Sequence, residues 1–144
     1  MTLEELKKEW EKKNGGKFAP SEHALQVSCV RWFRYQYPKE IIMAIPNGGY
    51  RAAKTAAIMK AEGQMAGIPD LFIAAARGDK HGLWIEMKNG KAGRLSPVQK
   101  EIHKKLEDQG YQVEVIRDDI AFRDTVNKYL KQKNERNPSQ NLEI

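Results

Sequence analysis

The chain has 144 residues, 40% of them apolar, and carries a net charge of +6 from 25 Lys and Arg against 19 Asp and Glu. That length fits one domain with a core of its own. No apolar run approaches the length of a membrane span, and a single cysteine, Cys29, excludes an intrachain disulfide. The basic excess is compatible with a polyanionic partner such as nucleic acid but does not establish one.

The opening stretch, Met1 to Trp10, is charged and lacks the apolar core of a signal peptide, so an intracellular, cytoplasmic protein is expected. Residues 2–13 read as an amphipathic helix with Leu3, Leu6 and Trp10 on one stripe, ended by Asn14-Gly15-Gly16. Packing on the domain is the expected use of that stripe, ahead of dimerisation or a DNA contact. Residues 1–19 are thus a helical extension.

Ser21 is placed to cap a second helix in which Leu25, Cys29 and Phe33 recur at i, i+4 and i+8 and face the core. Glu22 lies on the edge of the same stripe. An acidic residue in a first turn is favoured by the helix dipole, and position alone favours that reading over a carboxylate aimed into a site. Glu40 to Ile45 reads as a short strand, and Pro46-Asn47-Gly48-Gly49-Tyr50-Arg51 as a tight loop. Such a loop can bring backbone N–H groups near a phosphate, although a plain turn is the default. The Ala-rich helix from Arg51 to Ala61 carries Arg51, Lys54 and Lys60 with no acid until Glu62. This basic face either grips nucleic-acid backbone or is simply solvated.

The most informative stretch follows. Asp70 opens the apolar run Leu71 to Ala74, after Gly67-Ile68-Pro69. A Gly78-centred turn leads to Leu83-Trp84-Ile85-Glu86-Met87-Lys88, flanked by Gly82 and Gly90. Two short strands joined by such a turn pair antiparallel, which brings Asp70 near Glu86 and Lys88. Glu86 and Lys88, two apart, share a face of the strand, and Met87 points to the other. Glu-x-Lys alone is commonly a surface cross-pair. A carboxylate within Trp84, Ile85 and Met87 is costly if it merely fills space. Two carboxylates and an ammonium at one sheet end suit a divalent cation that takes substrate phosphate, with the lysine offsetting phosphate charge.

Asn89 to Arg94 is a basic loop with Lys91 and Arg94. Ser96-Pro97 opens a helix with Val98, Ile102 and Leu106 as its expected core stripe, Gln99 on the stripe's edge, and Lys100 on the far side. Tyr111, Val113 and Val115 alternate as a strand, and Asp118 or Asp119 caps a last helix with Phe122, Val126 and Leu130 inward. The polar tail, residues 131–144, reads as disordered. The three histidines, His23, His81 and His103, show no zinc spacing. The resulting order of elements points to an α/β fold, a mixed four-stranded sheet flanked by helices, with the helix after Ser96 crossing between parallel strands.

The run of Ser21-Glu22, Pro46-Asn47-Gly48-Gly49, Gly67-Ile68-Pro69-Asp70-Leu71, Glu86-Met87-Lys88 and Leu95-Ser96-Pro97-Val98-Gln99 resembles the VRR-NUC domain. This is the virus-type replication-repair nuclease branch of the PD-(D/E)XK superfamily. The resemblance covers residues 20 to 117, and the nuclease domain is set at residues 20–130. It implies a restriction-endonuclease-like core and Mg2+- or Mn2+-dependent hydrolysis of DNA phosphodiesters. It implies Asp70, Glu86 and the Met87 carbonyl as metal ligands and Lys88 as the catalytic lysine. It also promotes Glu22 to a site carboxylate that binds a second metal or a metal-bound water, and Gln99 to a site-facing residue. Arg51, Lys54, Lys91, Arg94 and Lys100 are candidate DNA contacts. A chain this short is similar to the stand-alone phage and bacterial form, which implies a homodimer cleaving four-way junctions. Cutting of flaps, ends or single strands, or DNA binding without catalysis, are the other readings.

Overall fold

The computed structural model describes residues 2–15, 21–46, 53–91 and 93–141. In chain order the elements are helix α1 (Leu3–Asn14), helix α2 (Glu22–Gln36), strand β1 (Ile42–Ala44), helix α3 (Ala53–Ala61), strand β2 (Leu71–Ile73), strand β3 (Leu83–Met87), helix α4 (Pro97–Asp108), strand β4 (Gln112–Ile116) and helix α5 (Asp119–Leu130). A 3-10 turn over Pro138–Asn141 follows. Ser21, Ser96 and Asp118 each cap their helix, accepting the N–H of Ala24, Gln99 and Ala121 respectively. The strands form one mixed sheet in the order β1-β2-β3-β4. β1–β2 and β2–β3 are antiparallel and β3–β4 is parallel, so α4 is the crossover helix, as the order of elements requires.

The register sorts the sheet into two faces. Leu71 lies opposite Ile85, Ile73 opposite Leu83, and Met87 beside Ile116. These residues point to one face, where Leu25, Cys29 and Phe33 of α2 and Phe122, Val126, Tyr129 and Leu130 of α5 close the core. Each such large apolar side chain contributes about 1.5–3 kcal/mol on burial. The one phenol in that core is satisfied, because the Tyr129 hydroxyl donates to the Ala75 carbonyl at 2.6 Å. The opposite face carries Phe72, Trp84, Glu86 and Val115, with α4 packed against β4. The Phe72 and Trp84 rings pack at a tilt, with centroids 4.4 Å apart.

Three expectations are corrected. Leu6 and Trp10 on α1 stay 50% and 43% exposed, so their stripe is not taken into the core; the side chain of Leu3 lies outside the described residues. In α4 the inward positions include Ile102 and His103, while Val98 is exposed. The helix is rotated relative to the expected stripe, because its packing on the sheet end turns Gln99 and His103 inward. The tail after α5 is ordered as far as Asn141: the Asn134 side chain accepts the N–H groups of Arg136 and Asn137 at 3.0 and 3.1 Å and donates to Gln140 at 2.6 Å. The backbone of Lys133 and Glu135 meanwhile bonds Gly78. Polar composition suggested disorder, but here the polar side chains themselves supply the hydrogen bonds that a core would otherwise replace.

The approach to Asp70 depends on Gly67. It adopts φ +87°, and a Cβ there would lie 2.9 Å from Val98 Cγ1 and 3.0 Å from the Val98 carbonyl oxygen. The loop carrying Asp70 therefore rests directly on α4. Gly67→Ala is expected to lower stability by about 2–4 kcal/mol, combining strain and overpacking. Gly63→Ala, at φ +111° but with nothing within 4 Å of its Cβ, should cost only the strain, about 1 kcal/mol. Denaturant unfolding of the two variants checks the difference.

Candidate active site

The site gathers where β2 begins and β3 ends. Extending the antiparallel register of Leu71 and Ile85 by two pairs sets Asp70 against Glu86 and Met87 against Pro69. Proline has no N–H to offer the Met87 carbonyl. The Met87 N–H itself is satisfied by the side chain of the next residue, donating to Asp70 Oδ2 at 2.7 Å. That bond holds Asp70 across the end of β3. Glu86, on the same face, is 1% exposed.

Gln99 connects the two strands to α4. Its backbone N–H donates to Ser96 Oγ at 3.1 Å, and its side-chain oxygen accepts the Ser96 N–H at 2.9 Å. The same oxygen accepts Lys88 Nζ at 3.2 Å. With two donors on the oxygen, the amide nitrogen must point the other way. It does, donating to Glu86 Oε1 at 2.6 Å. The capping box that starts the helix thus also orients the side chain that holds both Glu86 and Lys88.

The electrostatics are dominated by crowding. Burial raises the Glu86 carboxyl from 4.5 to about 9, reinforced by a hydrogen bond and charge repulsion from Asp70 and, more weakly, by Glu22; Lys88 opposes the shift. Glu22 is the exposed first residue of α2, so the helix dipole reading and a charge felt at the site hold together. His103, one turn beyond Gln99, is buried with Nε2 3.8 Å from Glu86 Oε1. Burial drives its pKa down. Histidine spacing gave no sign of this residue; the available signal was its i+4 relation to Gln99.

Of the residues singled out in the sequence, Asp70, Glu86, Met87, Lys88 and Gln99 come together in this way. Lys54, Lys91, Arg94 and Lys100 are exposed, and Arg51 lies outside the described residues. Arg117, not singled out in the sequence, donates to the carbonyls of Gly90 and Gly93 and folds the basic loop back toward Lys88. A Cβ on Gly93 would lie 3.2 Å from Lys88 Cβ. A cavity of about 1010 Å³ lies at the far end of the sheet, lined by Arg77, His81, Tyr111 and Lys133 among others, and contains none of these residues. No helix among the described residues is long and apolar enough to cross a membrane.

Comparison with known proteins agrees with this geometry. The family model for the VRR-NUC domain matches residues 3–119, and so includes α1. A solved structure described as a VRR_NUC domain protein superposes with a TM-score of 0.69 and 30% identity, over 80% of this chain and 92% of the other. No curated protein matches. The chain belongs to the VRR-NUC family, and its domain is a nuclease domain with hydrolase chemistry.

Proposed function

We propose that this chain is a Mg2+- or Mn2+-dependent endonuclease that hydrolyses DNA phosphodiesters, selects branched DNA such as four-way junctions, and acts as a homodimer. The observation that carries the reading is the buried Glu86 beside the half-buried Asp70, with Lys88 bound through Gln99 to the Glu86 carboxylate. Two carboxyl groups forced together, one of them out of water, are costly in their charged forms, and a cation between them removes that cost. Both are hard oxygen donors, which fits magnesium or manganese.

Asp70 and Glu86 would hold the ion, with the Met87 carbonyl as a further donor. The register supports that third role, because the residue opposite Met87 is Pro69, which has no N–H to occupy the carbonyl. Among the described residues no set of three His, Cys, Asp or Glu side chains converges, so the remaining positions fall to the carbonyl, water and substrate oxygen. When bound, the ion supplies Lewis acidity to the phosphate and lowers the pKa of the attacking water.

Lys88 carries its ammonium beside the reacting phosphate, orients the water and offsets developing negative charge, while Gln99 prevents it from swinging away. Glu22 acts as an outer carboxylate. Arg51, Lys54, Lys91, Arg94 and Lys100 contact the DNA backbone, the loop residues Lys91 and Arg94 being steadied by Arg117. A two-fold dimer, with the half-exposed Leu6 and Trp10 of α1 as its candidate surface, would present two sites for paired incisions.

The deciding experiment is cleavage of a labelled four-way junction beside linear duplex, flap and single-strand controls, in Mg2+, Mn2+ or chelator. Paired, metal-dependent nicks in the junction are expected, and Glu86→Ala should abolish them. Cutting of the controls alone would discard the junction preference, and binding without cutting would overturn catalysis. Lys88→Ala should lower kcat by roughly 10²–10³-fold. Replacing Lys91 and Arg94 together by alanine should weaken binding and reduce its salt slope by about 2, read by titration at several salt concentrations. In chelator, the folded state retains a Glu86 proton that the unfolded chain releases above its ordinary pKa of 4.5. This contribution to stability is complete below about 4.5 and is lost as pH rises through about 9. Thermal melts across that window should therefore show a decline that Glu86→Gln flattens.

A further inference from the structure

Among the described residues, two buried side-chain nitrogens have no hydrogen-bond partner, Trp84 Nε1 and His103 Nε2. The Trp84 indole packs against the Phe72 and Tyr111 rings. His103 differs, because its bare nitrogen stands 3.8 Å from Glu86 Oε1, with the side chain only 7% exposed. A buried polar atom without a partner is rare enough to require a reason.

We propose that His103 is a positioning residue for Glu86, donating from Nε2 to the same carboxylate oxygen that Gln99 holds. The proposal rests on the reading of Glu86 as a ligand of the divalent ion. Gln99 and His103 are four residues apart on α4 and so lie on one face of it. The Gln99 amide reaches Oε1 at 2.6 Å, and the imidazole approaches the same atom from the next turn. One carboxylate oxygen accepts two hydrogen bonds. Two donors on Oε1 fix the carboxylate plane and leave Oε2 for the ion. The present separation is about half an ångström beyond hydrogen-bond range, the kind of loose contact that tightens when a site is filled. Nε2 is a donor in the imidazolium and in one of the two neutral tautomers, and Glu86 in its ionised form selects that tautomer. Outer partners that orient a ligand in this way are worth about 10–100-fold in metal affinity.

The test is calorimetric titration of the full chain with Mn2+ in the absence of DNA, for wild type, His103→Leu, His103→Gln and Asp70→Asn. His103→Leu should bind Mn2+ about 10–100-fold more weakly, and His103→Gln, which keeps a donor near the Nε2 position, should recover most of that loss. At saturating Mn2+ the KM for DNA should be unchanged in His103→Leu. Wild-type Mn2+ affinity in His103→Leu overturns the proposal, as does equal weakening in both His103 variants, which would mark a packing role. If wild type shows no Asp70-dependent Mn2+ binding, the ligand pair itself is wrong. Should His103→Leu fail to fold, nitrogen-15 NMR of labelled histidine in wild type decides. An Nε2–H tautomer whose proton shifts on adding Mg2+ supports the proposal, and an Nδ1–H tautomer with bare Nε2 overturns it.

Discussion

The site rests on one hydrogen bond, donated by the Met87 N–H at the end of β3 to Asp70 Oδ2 at 2.7 Å. A buried amide at a strand end needs a partner, and the aspartate after the proline supplies it. The carboxylate is therefore positioned by sheet pairing itself rather than by a flexible loop. Its lateral position depends in turn on Gly67, whose missing side chain lets the preceding loop rest on α4. The sheet register and the α4 contact together determine where Asp70 stands relative to Glu86.

Glu86 is the destabilising member of this arrangement. A carboxyl group pushed to about 9 by burial and by Asp70 works against the folded state once it is charged. The chain retains it inside an otherwise apolar strand and sets around it the Gln99 amide, which donates to it, the Lys88 ammonium held by the same glutamine, and the imidazole of His103, 3.8 Å away. A stability cost concentrated at one buried acid, with hydrogen-bonding groups arranged around it, marks a functional position, because a purely structural one would avoid it. Gln99 joins folding to chemistry, because the capping box that nucleates α4 is also what turns its amide nitrogen toward the acid.

Local pattern accounts for a large part of this. The i, i+4, i+8 spacing of Leu25, Cys29 and Phe33 and of Phe122, Val126 and Leu130 gave the two helices that cover the core face. The short turn between the runs at Leu71 and Leu83 gave an antiparallel pair, and the helix after Ser96 gave a parallel crossover. Apolar periodicity misplaced the inward face of α4: Val98, in the first turn, is 48% exposed, while Gln99 reaches Glu86 and His103 is buried beside it. Composition likewise missed the ordered segment around Asn134, whose stability comes from side-chain-to-backbone bonds rather than from apolar burial.

By itself the sequence determined which residues share a face: Glu86 with Lys88 by the period of a strand, and Gln99 with His103 by the period of a helix. Those relations follow from backbone geometry within one element and need no knowledge of the rest. Only the tertiary structure decided that the Gln99 amide bridges Glu86 and Lys88 with His103 beside the same carboxylate, that Asp70 takes the Met87 N–H at the end of β3, and that Arg117 holds the basic loop beside Lys88. Each of these depends on the angle at which α4 lies on the sheet and on the register of β2 against β3, quantities set by packing between segments far apart in the chain.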